Sequence, residues 1–152
     1  MSKQEVQAPR WRERLRLVEV AQEVDPSGNA RVEVRLALPG SPDDRPDGVG
    51  KGLGLGHREG RMRAASEAAL EALTQVARGR LAFELRGMRA FRAFDTHIVA
   101  VSLFARAPGE EYRLLGSVAA PDGDLARGTV MAILDGVNRV LDGHLLLSDH
   151  PE

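Results

Sequence analysis

Hydrophobic and polar positions alternate along several separate stretches of the chain, a pattern that is typical of half-buried β-strands. The clearest case is residues 31–38, where four aliphatic side chains share one face and charged side chains occupy much of the other. A less regular stretch over residues 14–24 precedes it, and the sequence between them, Asp-Pro-Ser-Gly-Asn, has the composition of a turn. The two stretches therefore predict an antiparallel hairpin.

The next part of the chain is unusually rich in glycine. A loop with three prolines and three aspartates covers residues 39–47, and six glycines follow within residues 48–60. The aliphatic residues between these glycines favour a weak third strand, whereas the glycines themselves are equally consistent with a mobile loop. The sequence leaves both interpretations open.

Residues 61–76 predict an amphipathic helix that ends near Gly79. Its apolar positions recur at helical spacing: Met62, Ala65, Ala69, Leu73 and Val76. Arg63, Glu67 and Glu71 are expected on the outward face.

The second half of the chain repeats this order of elements. Three strands are predicted at residues 81–91, 97–105 and 112–120, with Gly87 as a possible bulge in the first. A helix capped by Asp122 or Asp124 is expected to follow and to run to about residue 141. Its apolar stripe comprises Ala126, Val130, Ile133, Val137 and Val140 or Leu141.

This order predicts an α+β fold of two βββα repeats, with about six strands and two helices. Each repeat is an antiparallel meander with one helix packed on it. We expect a leader at residues 1–13, a single domain at 14–142 built from repeats 14–78 and 80–142, and a tail at 143–152. Any apolar sheet face left uncovered would favour a second subunit, so a homodimer is expected.

Composition narrows the class of protein. The 152 residues contain no cysteine, which excludes disulfides, thiolate zinc sites and a cysteine nucleophile. No apolar stretch approaches the roughly 18 residues of a membrane span, and residues 1–14 lack the apolar core of a signal peptide. We therefore expect a cytoplasmic protein with no membrane contact.

Motifs for catalysis and metal binding are absent from the sequence. The four histidines, at positions 57, 97, 144 and 150, show none of the usual metal-ligand spacings. No nucleophile elbow, phosphate-binding loop or dinucleotide fingerprint occurs. We expect no catalytic residues, no metal and no cofactor, and thus a protein that is not an enzyme.

The most plausible binding site lies where glycine-rich turns meet the two helix N-termini. Glycine lets backbone N–H groups approach a ligand, and a helix N-terminus carries about half a positive charge. A ligand carboxylate or phosphate would meet these N–H groups. The candidate ligand-binding residues are Gly54, Gly56, His57, Arg58, Arg61, Asp122, Gly123 and Asp124. For the two aspartates, a structural role as helix caps is the favoured interpretation and ligand contact is the alternative.

The second repeat resembles a known family. Residues 116–118, 121–129 and 132–141, with the pair Asn138-Arg139, are similar to the end of the C-terminal regulatory domain of 2-isopropylmalate synthase. Gly54-x-Gly56 leading into the first helix is similar to the first glycine-rich turn of that domain. The resemblance implies a duplicated βββα fold that dimerises and binds leucine as a feedback inhibitor. The first turn departs from that pattern, since it is longer and carries His57, Arg58 and Glu59.

Two other functions remain open. Net charge is −1 overall, yet it is +4 over residues 1–92 and −5 over 93–152. The basic half could bind nucleic acid, and the first helix is similar to the last helix of double-stranded-RNA-binding domains. The candidate residues for this function are Arg58, Arg61, Arg63, Arg86, Arg89 and Arg92. The third possibility is an accessory protein-interaction subunit without a ligand.

Overall fold

The computed structural model of the chain describes residues 15–141, which form six strands and two helices. In chain order they are β1 (Arg16–Val24), β2 (Asn29–Ala37), β3 (Gly48–Leu55), α1 (Arg58–Ala77), β4 (Ala82–Ala93), β5 (Thr96–Ala107), β6 (Glu110–Ala120) and α2 (Leu125–Leu141). Strands β1–β3 form one antiparallel sheet and β4–β6 a second, each in chain order. The predicted α+β fold with two βββα units is confirmed. The predicted leader 1–13 and tail 143–152, with His144 and His150, lie outside the described residues.

The two helices lie on the inside of the molecule. Helix α1 packs on β2 and β3, α2 packs on β5 and β6, and the helices contact each other. Each also reaches the other unit, α1 at β4 and α2 at β1. One cluster of buried side chains draws on both units, and its largest fully buried members include Leu36, Leu73, Leu103 and Ile133. The opposite face of each sheet, which contacts neither helix, forms the outer surface of the molecule.

Strand β3 lies directly against the backbone of α1. Its alternate glycines point at the helix, and a Cβ atom added to Gly50 or Gly52 would stand 1.9 Å from the carbonyl oxygen of Ala68 or Ala64. The helix supplies small residues at every fourth position to allow this approach: Gly60, Ala64, Ala68 and Ala72. Residues 48–55 are therefore a strand rather than a mobile loop, and their glycines serve packing.

Side chains of α1 cover the free edge of β3. The Val49 N–H donates to Gln75 Oε1 at 2.8 Å, and the Lys51 N–H donates to Glu71 Oε1 at 2.7 Å. Gln75 Nε2 returns a hydrogen bond to the Val49 carbonyl at 2.8 Å. These contacts occupy backbone groups that an open sheet edge would offer to another chain.

The second unit repeats this arrangement in a shorter form. A Cβ on Gly116 would stand 2.0 Å from the Ala132 carbonyl oxygen. The Ser117 N–H donates to Asp135 Oδ2 at 3.1 Å. In both units, therefore, a glycine on the third strand faces a small residue of the helix, and an acidic side chain of the helix accepts from the next N–H.

Local irregularities explain where the structure departs from the sequence pattern. Helix α1 begins at Arg58, not at residue 61, because His57 Nδ1 accepts the Gly60 N–H at 3.1 Å and caps an earlier turn. A bulge between Leu17 and Glu19 shifts the register of β1, which breaks the strict alternation there. The bulge expected at Gly87 is present in β4.

We expect Gly50→Ala to lower the free energy of unfolding by about 3 kcal/mol or more, since the new methyl group would collide with helix backbone. Chemical denaturation of the purified variant, followed by circular dichroism, measures this change. Gly87→Ala is the matched control, because a Cβ there meets nothing within 4 Å. It should change stability by less than about 0.5 kcal/mol. Equal effects at the two positions would contradict direct contact between β3 and α1.

Candidate functional site

The N-terminal ends of α1 and α2 meet at a surface cleft of about 470 Å³ between the two units. Its lining residues are Gln22, Gly56, Arg58, Arg61, Asp122, Gly123, Asp124, Leu125 and Ala126. Six of the eight candidate ligand-binding residues are among them, although about 60 positions separate the two groups in the sequence. We call this cavity the seam cleft.

The first unit contributes the basic side of the seam cleft. The Gly56 N–H donates to the Gly28 carbonyl at 2.9 Å, and a Cβ on Gly56 would stand 2.6 Å from that oxygen. Arg61 Nε donates to the Gly56 carbonyl at 2.7 Å, so this guanidinium is fixed to the turn. Arg58 is exposed and makes no hydrogen bond or ion pair through its side chain within residues 15–141.

Two of the candidate residues serve the local structure and do not line the cleft. His57 is the N-cap of α1 and accepts the Gly60 N–H through Nδ1. Gly54 lies in β3 with its α-carbon against the Gly60 carbonyl, which a Cβ would approach to 2.4 Å. Both residues therefore position the α1 N-terminus, and neither lines the cleft.

The second unit contributes the acidic side. Gly123 has a φ of 78°, which favours glycine and makes the tight turn before α2. Asp122 Oδ1 accepts the Asp124 N–H at 3.1 Å, and Asp124 Oδ1 accepts the Arg127 N–H at 3.0 Å. Asp124 thus caps the first turn of α2, as the sequence suggested for one of the two aspartates.

Gln22 joins the two sides and is not among the candidate residues predicted from the sequence. Its Nε2 donates to both carboxylate oxygens of Asp124, at 3.1 and 3.2 Å, and so links β1 to the start of α2. Gln22 lies opposite Val32, which belongs to the buried face of the first sheet. A polar residue at a position where the alternation expects an apolar one was the available signal.

The cleft brings both signs of charge together in a small volume. Arg58 and Arg61 lie on one side, Asp122 and Asp124 on the other, and no ion pair between these four residues occurs in the described part of the chain. Leu125 and Ala126 add apolar surface. This arrangement can accept a carboxylate near the arginines and a positively charged group near the aspartates.

A second, smaller cleft of about 350 Å³ lies between the first turns of α1 and strand β4. Arg58, Arg63 and Arg89 line it together with Met62, Met88, Glu59 and Ala90. None of the three guanidinium groups has an ion pair or hydrogen bond among residues 15–141. We call this cavity the arginine cleft.

The other residues proposed for nucleic-acid binding do not join the arginine cleft. Arg61 is bound to the Gly56 carbonyl. Arg86 pairs with Glu84 at 3.9 Å and lies 4.8 Å from the centroid of the Phe104 ring. Arg92 is exposed on β4. The structure therefore brings together three of the six proposed arginines.

Comparison with known proteins gives no further indication of function. No family model matches the sequence, and no curated protein matches it. Within the described residues, no His, Asp or Glu cluster could hold a metal ion. Neither α1 nor α2 has the length and apolar character needed to cross a membrane.

We expect Asp124→Ala to lower the free energy of unfolding by about 1 kcal/mol, because the first turn of α2 loses its cap. Thermal unfolding followed by circular dichroism measures the change. Asp124→Asn is the control, since its amide oxygen can still accept the Arg127 N–H. Equal losses in the two variants would show that the negative charge of Asp124, and not its hydrogen bond from the Arg127 N–H, stabilises this turn.

Proposed function

We propose that this protein is a non-enzymatic regulatory module that binds a small amino-acid-like ligand in the seam cleft. The observation that carries the proposal is the meeting of arginines from one unit with aspartates from the other at two helix N-termini. The weak resemblance to the regulatory domain of 2-isopropylmalate synthase supports the same class of ligand. The proposal includes a homodimer, which does not depend on the ligand.

The charges of the seam cleft favour a ligand that carries both signs. A carboxylate would pair with the Arg58 guanidinium and lie near the positive end of α1. This guanidinium has no partner within residues 15–141. An ammonium group would lie near Asp122 and Asp124, whose carboxylates already accept backbone N–H groups. A simple anion would meet the same arginines together with two repelling carboxylates. An amino acid therefore suits the cleft better than a phosphate or a dicarboxylate.

The position of the seam cleft suits a regulatory role. Its walls come from both βββα units, which contact each other through α1 and α2. A ligand that touches both walls stabilises the arrangement of the units in which the cleft is closed around it. A partner chain could then respond to the ligand through that arrangement, without any reaction at the site.

We expect branched-chain amino acids to raise the melting temperature of the full chain, and the corresponding 2-oxo acids to raise it less. Ligand at about 100 times its dissociation constant adds roughly 2.7 kcal/mol of stability. Arg58→Gln should weaken binding about tenfold to a hundredfold, because a charged hydrogen bond is lost. Thermal shift identifies the ligand class, and titration calorimetry measures the affinity.

Arg45→Gln is the control for that experiment, since Arg45 lies in the loop before β3, away from the residues that line the cleft. It should leave affinity unchanged. If no amino acid or 2-oxo acid shifts the melting temperature, the ligand proposal is wrong. An accessory subunit without a ligand would then be the better description.

A second candidate function, binding of double-stranded RNA, is favoured by the arginine cleft. Arg58, Arg63 and Arg89, whose guanidinium groups have no partners in the described part of the chain, line one cleft, and phosphate groups would neutralise their charge. The cleft also contains the N-terminal turn of α1, the helix that resembles the last helix of double-stranded-RNA-binding domains. Met62 and Met88 also line the cleft, and neither carries a hydrogen-bond donor that could read a base sequence.

If this second function holds, a short RNA duplex should bind with an affinity that falls steeply as salt rises. Three phosphate contacts give a slope of about −2 to −3 in a plot of log affinity against log salt. Arg63→Ala should reduce that slope by about one, whereas Arg45→Ala should leave it unchanged. Fluorescence anisotropy between low and moderate salt measures both. A slope near zero would exclude RNA binding at this cleft.

A further inference from the structure

The two sheets have similar inner faces and very different outer faces. On the inner faces, the central strands β2 and β5 carry matching aliphatic triplets: Val32, Val34 and Leu36 in one, Val99, Val101 and Leu103 in the other. On the outer faces, β2 presents Arg31, Glu33 and Arg35, and β5 presents Ile98, Ala100, Ser102 and Phe104. Water solvates the first set well and the second set poorly.

Neighbouring strands extend the apolar surface of the second sheet. Phe91 of β4 lies opposite Ile98 and is 41% exposed. Leu115 of β6 lies opposite Ser102 and is 73% exposed, and Ala119 lies opposite Ile98. Arg89 on the edge strand β4 lies opposite Ala100 on this same face. Exposed apolar side chains grouped on one face of a sheet are a common mark of an interaction site.

The hairpin between β4 and β5 ends in an aromatic residue that does not pack on its own chain. Phe94 is 94% exposed, and its φ of 54° lies in the left-handed region. That conformation is sterically unfavourable for phenylalanine, and glycine or asparagine usually occupies such turns. The left-handed backbone at Phe94 therefore lowers the stability of the isolated chain, while its ring stays almost fully exposed. The residue lies at the end of the sheet that carries Phe91 and Ile98.

The opposite end of the same face carries charges of both signs around Phe104. Arg106 pairs with Glu84 at 2.9 Å and with Glu111 at 3.2 Å, and the Glu84 carboxylate raises the pKa of Arg106. Arg86, Arg106 and Arg113 lie 4.8, 5.4 and 5.4 Å from the centroid of the Phe104 ring. A surface that holds both arginines and glutamates can meet a rotated copy of itself without like charges facing each other throughout.

We propose that the outer face of β4, β5 and β6 is the dimer interface and that its partner is the same face of a second copy of this chain. The inference deepens the homodimer of the proposed function and does not depend on a ligand in the seam cleft. A two-fold axis would place apolar patch on apolar patch and mixed charges on mixed charges. A two-fold interface closes on itself, so association stops at two chains. The surfaces left outside the dimer would be the outer faces of the first sheets, where Leu53 and Leu55 are exposed among charged side chains.

The size of this face suits a small dimer. Three strands of 11–12 residues span about 38 Å by 14 Å, or roughly 500 Å² before the relief of the side chains is added. Stable interfaces bury on the order of 600–800 Å² of accessible surface per partner. Side chains that stand out from the sheet, together with Phe94 at its end, bring the face into that range.

Two matched substitutions test the interface: Leu115→Arg on the outer face of the second sheet, and Leu53→Arg on the outer face of the first. Both leucines are more than half exposed on the third strand of their unit, so neither variant should unfold. Sedimentation velocity over a range of concentrations measures the dimer dissociation constant of the full chain. We expect a wild-type dimer, at least a tenfold weaker dimer for L115R, and an unchanged dimer for L53R.

Other outcomes would overturn the proposal, and they differ from a failure of ligand binding. A chain that is monomeric at every concentration would contradict both the interface and the homodimer, regardless of whether amino acids shift the melting temperature. A dimer weakened by L53R and not by L115R moves the interface to the first sheet. Assembly beyond two chains contradicts the closed arrangement. Phe94→Asn gives an independent check, since it should raise the stability of the monomer and weaken the dimer.

Discussion

The contact between the backbone of a strand and the backbone of a helix determines how each unit of this protein is built. Glycines at 48, 50, 52 and 54 bring β3 so close to α1 that a single methyl group would overlap a carbonyl oxygen. The helix has glycine or alanine at every fourth position on the side that faces β3. Four residues of a helix and two residues of a strand rise by similar lengths, so each strand glycine meets one of these small residues. The same approach lets glutamine and glutamate side chains of the helix reach the open edge of the strand.

With each helix fixed to its own sheet, the helices themselves form the junction between the units. Their N-terminal turns then face one another and, with Gln22 of β1 and the turns before each helix, form the seam cleft. These residues also stabilise the local structure. Asp124 caps α2 and accepts a hydrogen bond from Gln22, while Arg61 donates to the Gly56 carbonyl. The Arg58 side chain makes no such contact within the described residues, so its guanidinium is available to a ligand.

The duplicated architecture leaves one asymmetry that bears on assembly. Both sheets must present an apolar face inward, and both do so with the same alternation of aliphatic residues. Nothing in the packing of the single chain constrains their outer faces, and there the units differ: charged at β2, apolar at β5. Exposed apolar surface and the strained, exposed Phe94 are costs that a second copy would offset.

The periodicity of the sequence by itself determined the element order, the two βββα units and the inner-facing core, because side chains alternate in strands and recur every three to four residues in helices. It also located six of the residues that line the seam cleft, from turn composition and helix ends. The role of the glycines between 48 and 54 was decided only by tertiary structure, since the same residues fit a loop until the helix is placed against them. So was the part played by Gln22. The start of α1 at Arg58 is instead a local effect, because His57 caps the helix by accepting the Gly60 N–H three residues later. The close packing of the glycines and the role of Gln22 depend on contacts with residues distant in sequence, which periodicity cannot locate, as does the meeting of Arg58 and Arg63 of α1 with Arg89 of β4.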